Sequence, residues 1–314
     1  MKPETYQTVL AELWVVPSPE GGYAYPTWWN EWIVVQYEPK GAVASAASAG
    51  IWKLRADGSE FAMIDLPNHP SCGLDGLNGF LAPATLPDGR LGYAVDCSPK
   101  GDPFGARTNL MAYEAVSGRV EQLLDYPSPN EYVGTGGYAW SPEMTKMIMG
   151  NGHRYIDEQL FWFTQESWEP ADVGLPLAYS PSWSPDGRRI AFIGSSATGT
   201  PLIGSALAVY LMDAQGKGVR PLVEGFYDAP GLSFSPDGRW LALSGRFGPR
   251  EADRQDLWVV DVETGELRLV AEGVFGVPRW SPDGKQLVVV QFVGPVETRR
   301  DRLVIVDVGP VLEE

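Results

Sequence analysis

The chain has 314 residues, 44% hydrophobic and 11% aromatic, with 36 glycines and 27 prolines. That density of turn residues excludes a helical protein, and the periodic Trp- and Val-rich segments exclude disorder, which leaves an all-β chain with many turns. A formal charge of −16, from 40 acidic and 24 basic side chains with no Lys/Arg cluster, repels phosphate backbones and argues against nucleic-acid binding.

In chain order, the first predicted element is a strand over residues 6–16, where Glu12 interrupts the apolar run that a signal peptide would need. No apolar stretch approaches the roughly 20 residues of a membrane span. The first full unit, 25–66, has P-T-W at Pro26–Trp28, strands at Trp32–Val35 and Ile51–Leu54, and a shortened turn lacking Pro-Asp-Gly. The second, 80–126, has P-D-G-R at Pro87–Arg90, a strand at Leu91–Val95 and a third strand starting near Leu110. The third, 136–173, has W-S-P-E at Trp140–Glu143, with Met144 where other units carry glycine, and a strand at Leu160–Phe163.

The last three units are regular. W-S-P-D-G-R at Trp183–Arg188 precedes strands Ile190–Ile193 and Leu207–Asp213 in unit 179–225. F-S-P-D-G-R at Phe234–Arg239 precedes Trp240–Leu243, Leu257–Asp261 and Glu266–Val270 in unit 230–272. W-S-P-D-G-K at Trp280–Lys285 precedes Leu287–Val290 and Leu303–Asp307 in unit 276–314. The turn prolines at 87, 142, 185, 236 and 282 are spaced by 55, 43, 51 and 46 residues. Such a period marks a propeller or solenoid, and four antiparallel strands per unit make a propeller blade.

The expectation is therefore one domain over 1–314, an all-β, six-bladed β-propeller with four antiparallel strands per blade. Little chain remains after Val308 for a fourth strand in the last blade, so the strand at 6–16 is expected to supply it and close the ring without a bare edge. Serine first, proline second and glycine fourth suit a type I turn closed by a left-handed residue. The recurring Ser and Asp read as hairpin hinges rather than nucleophiles, and the preceding Trp as filling between blades.

The repeated W-S-P-D-G-[RK] turn followed by an apolar strand resembles the TolB-type six-bladed β-propeller. Trp183–Arg188, Phe234–Arg239 and Trp280–Lys285 match it clearly, and Thr85–Arg90 and Trp140–Met144 in part. The resemblance covers nearly the whole chain and lies in structural turns, so it speaks to fold more than function. It implies a protein- or ligand-binding scaffold, usually outside the cytoplasm in bacteria; related blades also gate prolyl-oligopeptidase-like peptidases or form carbohydrate-active enzymes.

In such a blade, turns after strands one and three share one face, and loops after strands two and four share the other. The second face carries the long segments Tyr37–Gly50, Pro67–Gly79, Asp96–Asn109, Tyr126–Gly137 and Arg246–Asp256, where binding is expected. At the channel mouth on that face, Gln36, Asp96, Asn151, Arg246 and Gln291 begin loops, and Asp75, Glu131, Tyr132, Tyr227 and Asp228 lie between blades. Together they could hold a peptide, sugar or cation. Cys72 and Cys97 fall near the same blade on this face, and a disulfide between them would stabilise by roughly 3 kcal/mol and place the protein in an oxidising compartment.

Three functions remain open at this stage. The preferred one is a non-catalytic scaffold recognising a protein, peptide or glycan partner, periplasmic or extracellular, with a cytoplasmic location as the alternative. The second is a carbohydrate-active hydrolase or lyase using paired carboxylates from Asp75, Asp96, Glu131 and Asp228. The third, a serine peptidase propeller, lacks a G-x-S-x-G elbow. With only His69 and His153 and no CxxC, no catalytic metal is expected. Calcium remains compatible with the carboxylates, although no D-x-D-x-D-G loop marks a site.

Overall fold

The computed structural model describes residues 7–8, 10–41, 50–67, 77–97, 107–127, 137–151, 159–164, 168–197, 206–247, 254–295 and 298–313. Four sheets have four strands each. Gly21–Trp29, Trp32–Pro39, Gly50–Leu54 and Ala62–Met63 form the first in that order, and Leu77–Thr85, Leu91–Cys97, Arg107–Tyr113 and Val120–Pro127 the second. Tyr138–Trp140, Met147–Asn151, Gln159–Phe163 and Trp168–Pro170 form the third. The fourth runs Arg279–Trp280, Gln286–Val293, Arg300–Asp307 and then Glu12–Val15 from the other end of the chain.

The remaining sheet corrects the expectation of six separate four-stranded sheets, because it is a single sheet of eight strands. Its central strand, Arg220–Phe234, is 15 residues long. It pairs with Leu207–Asp213 through Arg220–Phe226 and with Trp240–Phe247 through Phe226–Phe234. A loop between units was expected between residues 225 and 230. Instead, register shifts at Phe226/Asp228 and Asp228/Gly231 let the strand bend without releasing its hydrogen bonds.

The N-terminal segment does close the structure, but it divides its pairing. Glu12–Val15 runs antiparallel to Arg300–Asp307 as the outer strand of the last sheet. Gln7–Thr8, expected in the same strand, pairs parallel with Leu267–Ala271 of the neighbouring sheet. The chain thus spans two sheets with one short segment. A short helix, Gly309–Glu313, follows the last strand.

Most hydrophobic clusters lie between neighbouring sheets, and one lies within the eight-stranded sheet between its two halves. One joins Trp28, Ile33 and Leu54 of the first sheet to Val288, Leu303 and Ile305 of the last, and another joins Leu86 and Leu110 to Trp140 and Met147. Period-2 alternation places one row of each strand in the seam on either side. Trp280 works as expected, buried between sheets with Nε1 donating to the Ser233 carbonyl at 3.1 Å.

The recurring turns are hinges, as their composition implies. In the turn at Ser184, the hydroxyl donates to Asp186 Oδ1 at 2.6 Å and accepts from Arg189 N at 2.9 Å, while Asp186 accepts from Arg188 N at 3.0 Å. The same three bonds recur at Ser235–Trp240 and Ser281–Gln286. Gly187, Gly238 and Gly284 all have φ near +70°, where a Cβ is costly. Met144 occupies the corresponding position at φ 56°.

These bonds make the turns acid-sensitive. The Ser184 and Ser281 hydroxyls, and then backbone N–H groups, hold the Asp186 and Asp283 carboxyls below the usual carboxylate range. A depressed folded pKa adds stability above the unfolded value, and that stability is lost as pH falls through the folded one. The melting temperature is therefore expected to hold from pH 7 to about pH 4 and to fall below it. The Asp186→Asn/Asp283→Asn double variant should lose less on acidification. An identical acid slope in both proteins would refute the assignment.

Candidate functional site

The first strand of each unit faces a central channel. Thr27, Thr85, Ala139, Ser182, Ser233 and Arg279, from six strands, line a cavity of about 230 Å³ where those strands run into the turns. Each stands one residue before the residue that caps the seam: Trp28, Leu86, Trp140, Trp183, Phe234 and Trp280. Five of the six are small; the sixth is an arginine. Arg279 Nη1 donates to the carbonyls of Leu232 at 3.2 Å and Pro278 at 3.3 Å. Burial lowers its pKa, and burial likewise pushes the Tyr138 hydroxyl above its ordinary value.

At the other end, the channel mouth holds a cavity of about 300 Å³ lined by Tyr23, Tyr25, Pro26, Pro230, Gln255 and Phe292, among others. Bulges shape it. Tyr25, Ala82 and Ser180 all take φ near +50° in their first strands, each directly before a proline. The register shifts at those points, between Ala24/Thr27, Leu81/Ala84 and Tyr179/Ser182. Strained backbone of this kind persists only where surrounding structure fixes it. Tyr179, half a turn of pleat away, donates its hydroxyl to Ala229 O at 2.9 Å in the next first strand.

Among the described residues, none of the expected ones lines this cavity, but two come together beside it. Asp228 and Arg246 oppose each other in register across the bulged pair, and Asp228 Oδ2 accepts a 2.6 Å hydrogen bond from Gln255 Nε2. The Arg246 Nε is buried and has no hydrogen-bond partner among the described residues. Gln291 bridges to Phe275 beside the same mouth. Tyr227 and Asp228, expected in an inter-blade loop, lie within the long strand Arg220–Phe234. Gln36 is engaged locally: its Oε1 accepts from Ala82 N at 3.4 Å and so supports the neighbouring bulge.

The other expected residues test less. Asp75, Glu131, Tyr132 and Cys72 lie outside the described residues, and Asp96, Cys97 and Asn151 are placed only as strand positions in Leu91–Cys97 and Met147–Asn151. Among the described residues, no group of three or more His, Cys, Asp or Glu is arranged to hold a metal ion.

Sequence reading missed Gln255, Tyr25 and Arg279. Arg279 had a visible signal, since P-R-W at Pro278–Trp280 breaks the pattern of P-T-W and P-S-W. Also missed was a groove of about 540 Å³ at the closure between the first and last sheets, lined by Pro17–Gly22, Glu38–Gly41 and Arg299–Arg302. Within it, Lys40 pairs with Glu20 at 2.5 Å, and Asp301 Oδ2 accepts from Tyr23 N at 3.1 Å.

No family model and no curated protein matches the chain. Solved structures do. TolB from Acinetobacter baumannii superposes with a TM-score of 0.57 at 16% identity, over 83% of this chain and 60% of that one. The chain is a β-propeller. A putative TolB from Agrobacterium tumefaciens gives 0.61 at 15% identity, over 91% of this chain and 90% of that one. An oligogalacturonate lyase in complex with manganese gives 0.54 at 13% identity, over 90% and 75%. These TolB-like neighbours thus include an enzyme, and at such identities they establish the propeller architecture alone. Among the described residues, no helix is long and apolar enough to cross a membrane.

Proposed function

We propose that this propeller is a non-catalytic binding scaffold that recognises a protein, peptide or glycan partner through the loop-rich face at the channel mouth. The observation that carries the reading is the mouth cavity itself. It is lined by aromatic and proline side chains together with Gln255, whose amide is held by Asp228 at 2.6 Å, the mixture of apolar surface and few fixed polar groups that ligand sites use. In this reading the eight-stranded sheet acts as two blades joined through Phe226, which gives six blades of the W-S-P-D-G type. The same reading keeps Cys72 paired with Cys97 and the protein in the periplasm or outside the cell. Intact mass before and after reduction, with two free thiols in native protein, would remove the disulfide.

The test is a screen of the full chain on glycan and peptide arrays, followed by affinity measurements on the hits. Asp228→Asn should weaken binding about tenfold, as expected for loss of a charged hydrogen-bond acceptor, with the melting temperature unchanged. Sustained turnover of a glycan or peptide, abolished by Asp228→Asn, would replace the scaffold reading with the hydrolase or lyase.

A further inference from the structure

We propose that the opposite end of the channel, around Arg279, is a binding site for a single carboxylate. Six structurally equivalent positions ring the cavity, and Thr27, Thr85, Ala139, Ser182 and Ser233 fill five of them with small side chains. Among the described residues lining it, Arg279 is the one charged side chain. A strand end at this position needs no long side chain, as the other five demonstrate. The five small neighbours leave the space into which the sixth projects.

The hydrogen bonding of the guanidinium defines what fits. Nη1 is committed to the Leu232 and Pro278 carbonyls, which clamps the group against the wall. Nε–H and both Nη2–H groups have no acceptor among the described residues. That remaining edge is the two-pronged donor that matches a carboxylate. Among the described residues, no acidic side chain lines the cavity. Arg279 is partly buried, and a partly desolvated cation is costly without a counter-charge, one that a protein of net charge −16 would find easy to supply from within. Its absence leaves the place to a ligand. Hydroxyls of Thr27, Ser182 and Tyr138 and the rings of Trp140 and Trp183 complete the surroundings.

Size narrows the class. About 230 Å³ equals the volume of roughly seven waters, enough for a small organic acid or the last residue of a peptide with its terminal carboxylate. This site lies at the turn-bearing end of the channel, and although Tyr25 of the mouth interacts electrostatically with Arg279, the two cavities share no lining residue among those described, so the inference is independent of the scaffold reading.

The probe is N-acetylglycine, titrated into the full chain by calorimetry beside its uncharged amide, N-acetylglycinamide. The wild type should bind the acid and not the amide. Arg279→Lys, which keeps the charge but loses the fork, should bind about tenfold more weakly, and Arg279→Gln about a hundredfold. Lys40→Gln, in the groove at the closure, should bind as the wild type does. A pentapeptide with a free C-terminus, compared with its C-terminal amide, separates a peptide end from a free acid as the source. Equal binding of acid and amide to the wild type overturns the proposal without reliance on any variant. Unchanged affinity in Arg279→Gln, no binding of the acid at 20 mM (roughly the weakest useful range), or binding of inorganic phosphate in its place would also overturn it.

Discussion

Removing residues 1–17 is expected to lower the melting temperature of the propeller by roughly 10 °C, through a loss of about 5 kcal/mol. The deleted segment contributes fully buried Val16 and half-buried Leu13 and Trp14 to two seams. It also makes the register pairs Glu12↔Asp307 to Val15↔Val304. Val16 N donates to Leu303 O at 2.9 Å and Ala11 N to Val270 O at 3.0 Å. Because Gln7–Thr8 and Glu12–Val15 pair with different sheets, truncation bares two outer edges at once and exposes the protein to edge pairing. Differential scanning calorimetry checks the shift, and adding back a synthetic 1–17 peptide should recover part of it. A truncated chain melting with the full-length protein would show that the ring closes without this strand.

The second large effect is expected at Phe226. Its side chain is fully buried, 3.9 Å between ring centroids from Phe247, in a cluster that also holds Trp258. It is also the residue where Arg220–Phe234 changes partner, pairing with Leu207 on one side and Phe247 on the other. Phe226→Ala should cost about 4 kcal/mol, the transfer loss plus the cavity left behind. Urea denaturation monitored by Trp fluorescence measures it. If the strand joint holds the two halves together, the transition should also broaden, because cooperativity between the halves runs through this residue. A loss below about 1 kcal/mol, the scale of a surface change, would mean the site collapses freely and the joint does not depend on the ring.

The architecture was legible because its signals are local and repeated. The turn sequence dictates its own hydrogen bonds: Ser235 and Asp237 satisfy Arg239 and Trp240 within six residues, so no distant contact is needed to form the hairpin. Repetition then implied the propeller. The closure by Glu12–Val15 was legible by subtraction, since the last unit lacked an outer strand.

The joint at Phe226–Gly231 was not legible. The stretch E-G-F-Y-D-A-P-G at Glu224–Gly231 has the glycine and proline of a loop, and only simultaneous pairing on both sides keeps it a strand. Nor was the commitment of Gln36 to the Ala82 bulge, because partner and side chain are 46 residues apart. Tyr25, Ala82 and Ser180 take left-handed backbone before proline, against local preference, because the channel wall must turn there.

By itself, then, the sequence determined the hairpins, the all-β class and the period, each of which rests on interactions within a few residues. The tertiary structure alone decided which strands merge into one sheet, where the N-terminal segment divides, and that Arg279 meets five small side chains across the channel. Those outcomes depend on side chains brought together from distant units, and composition and spacing carry no term for such contacts.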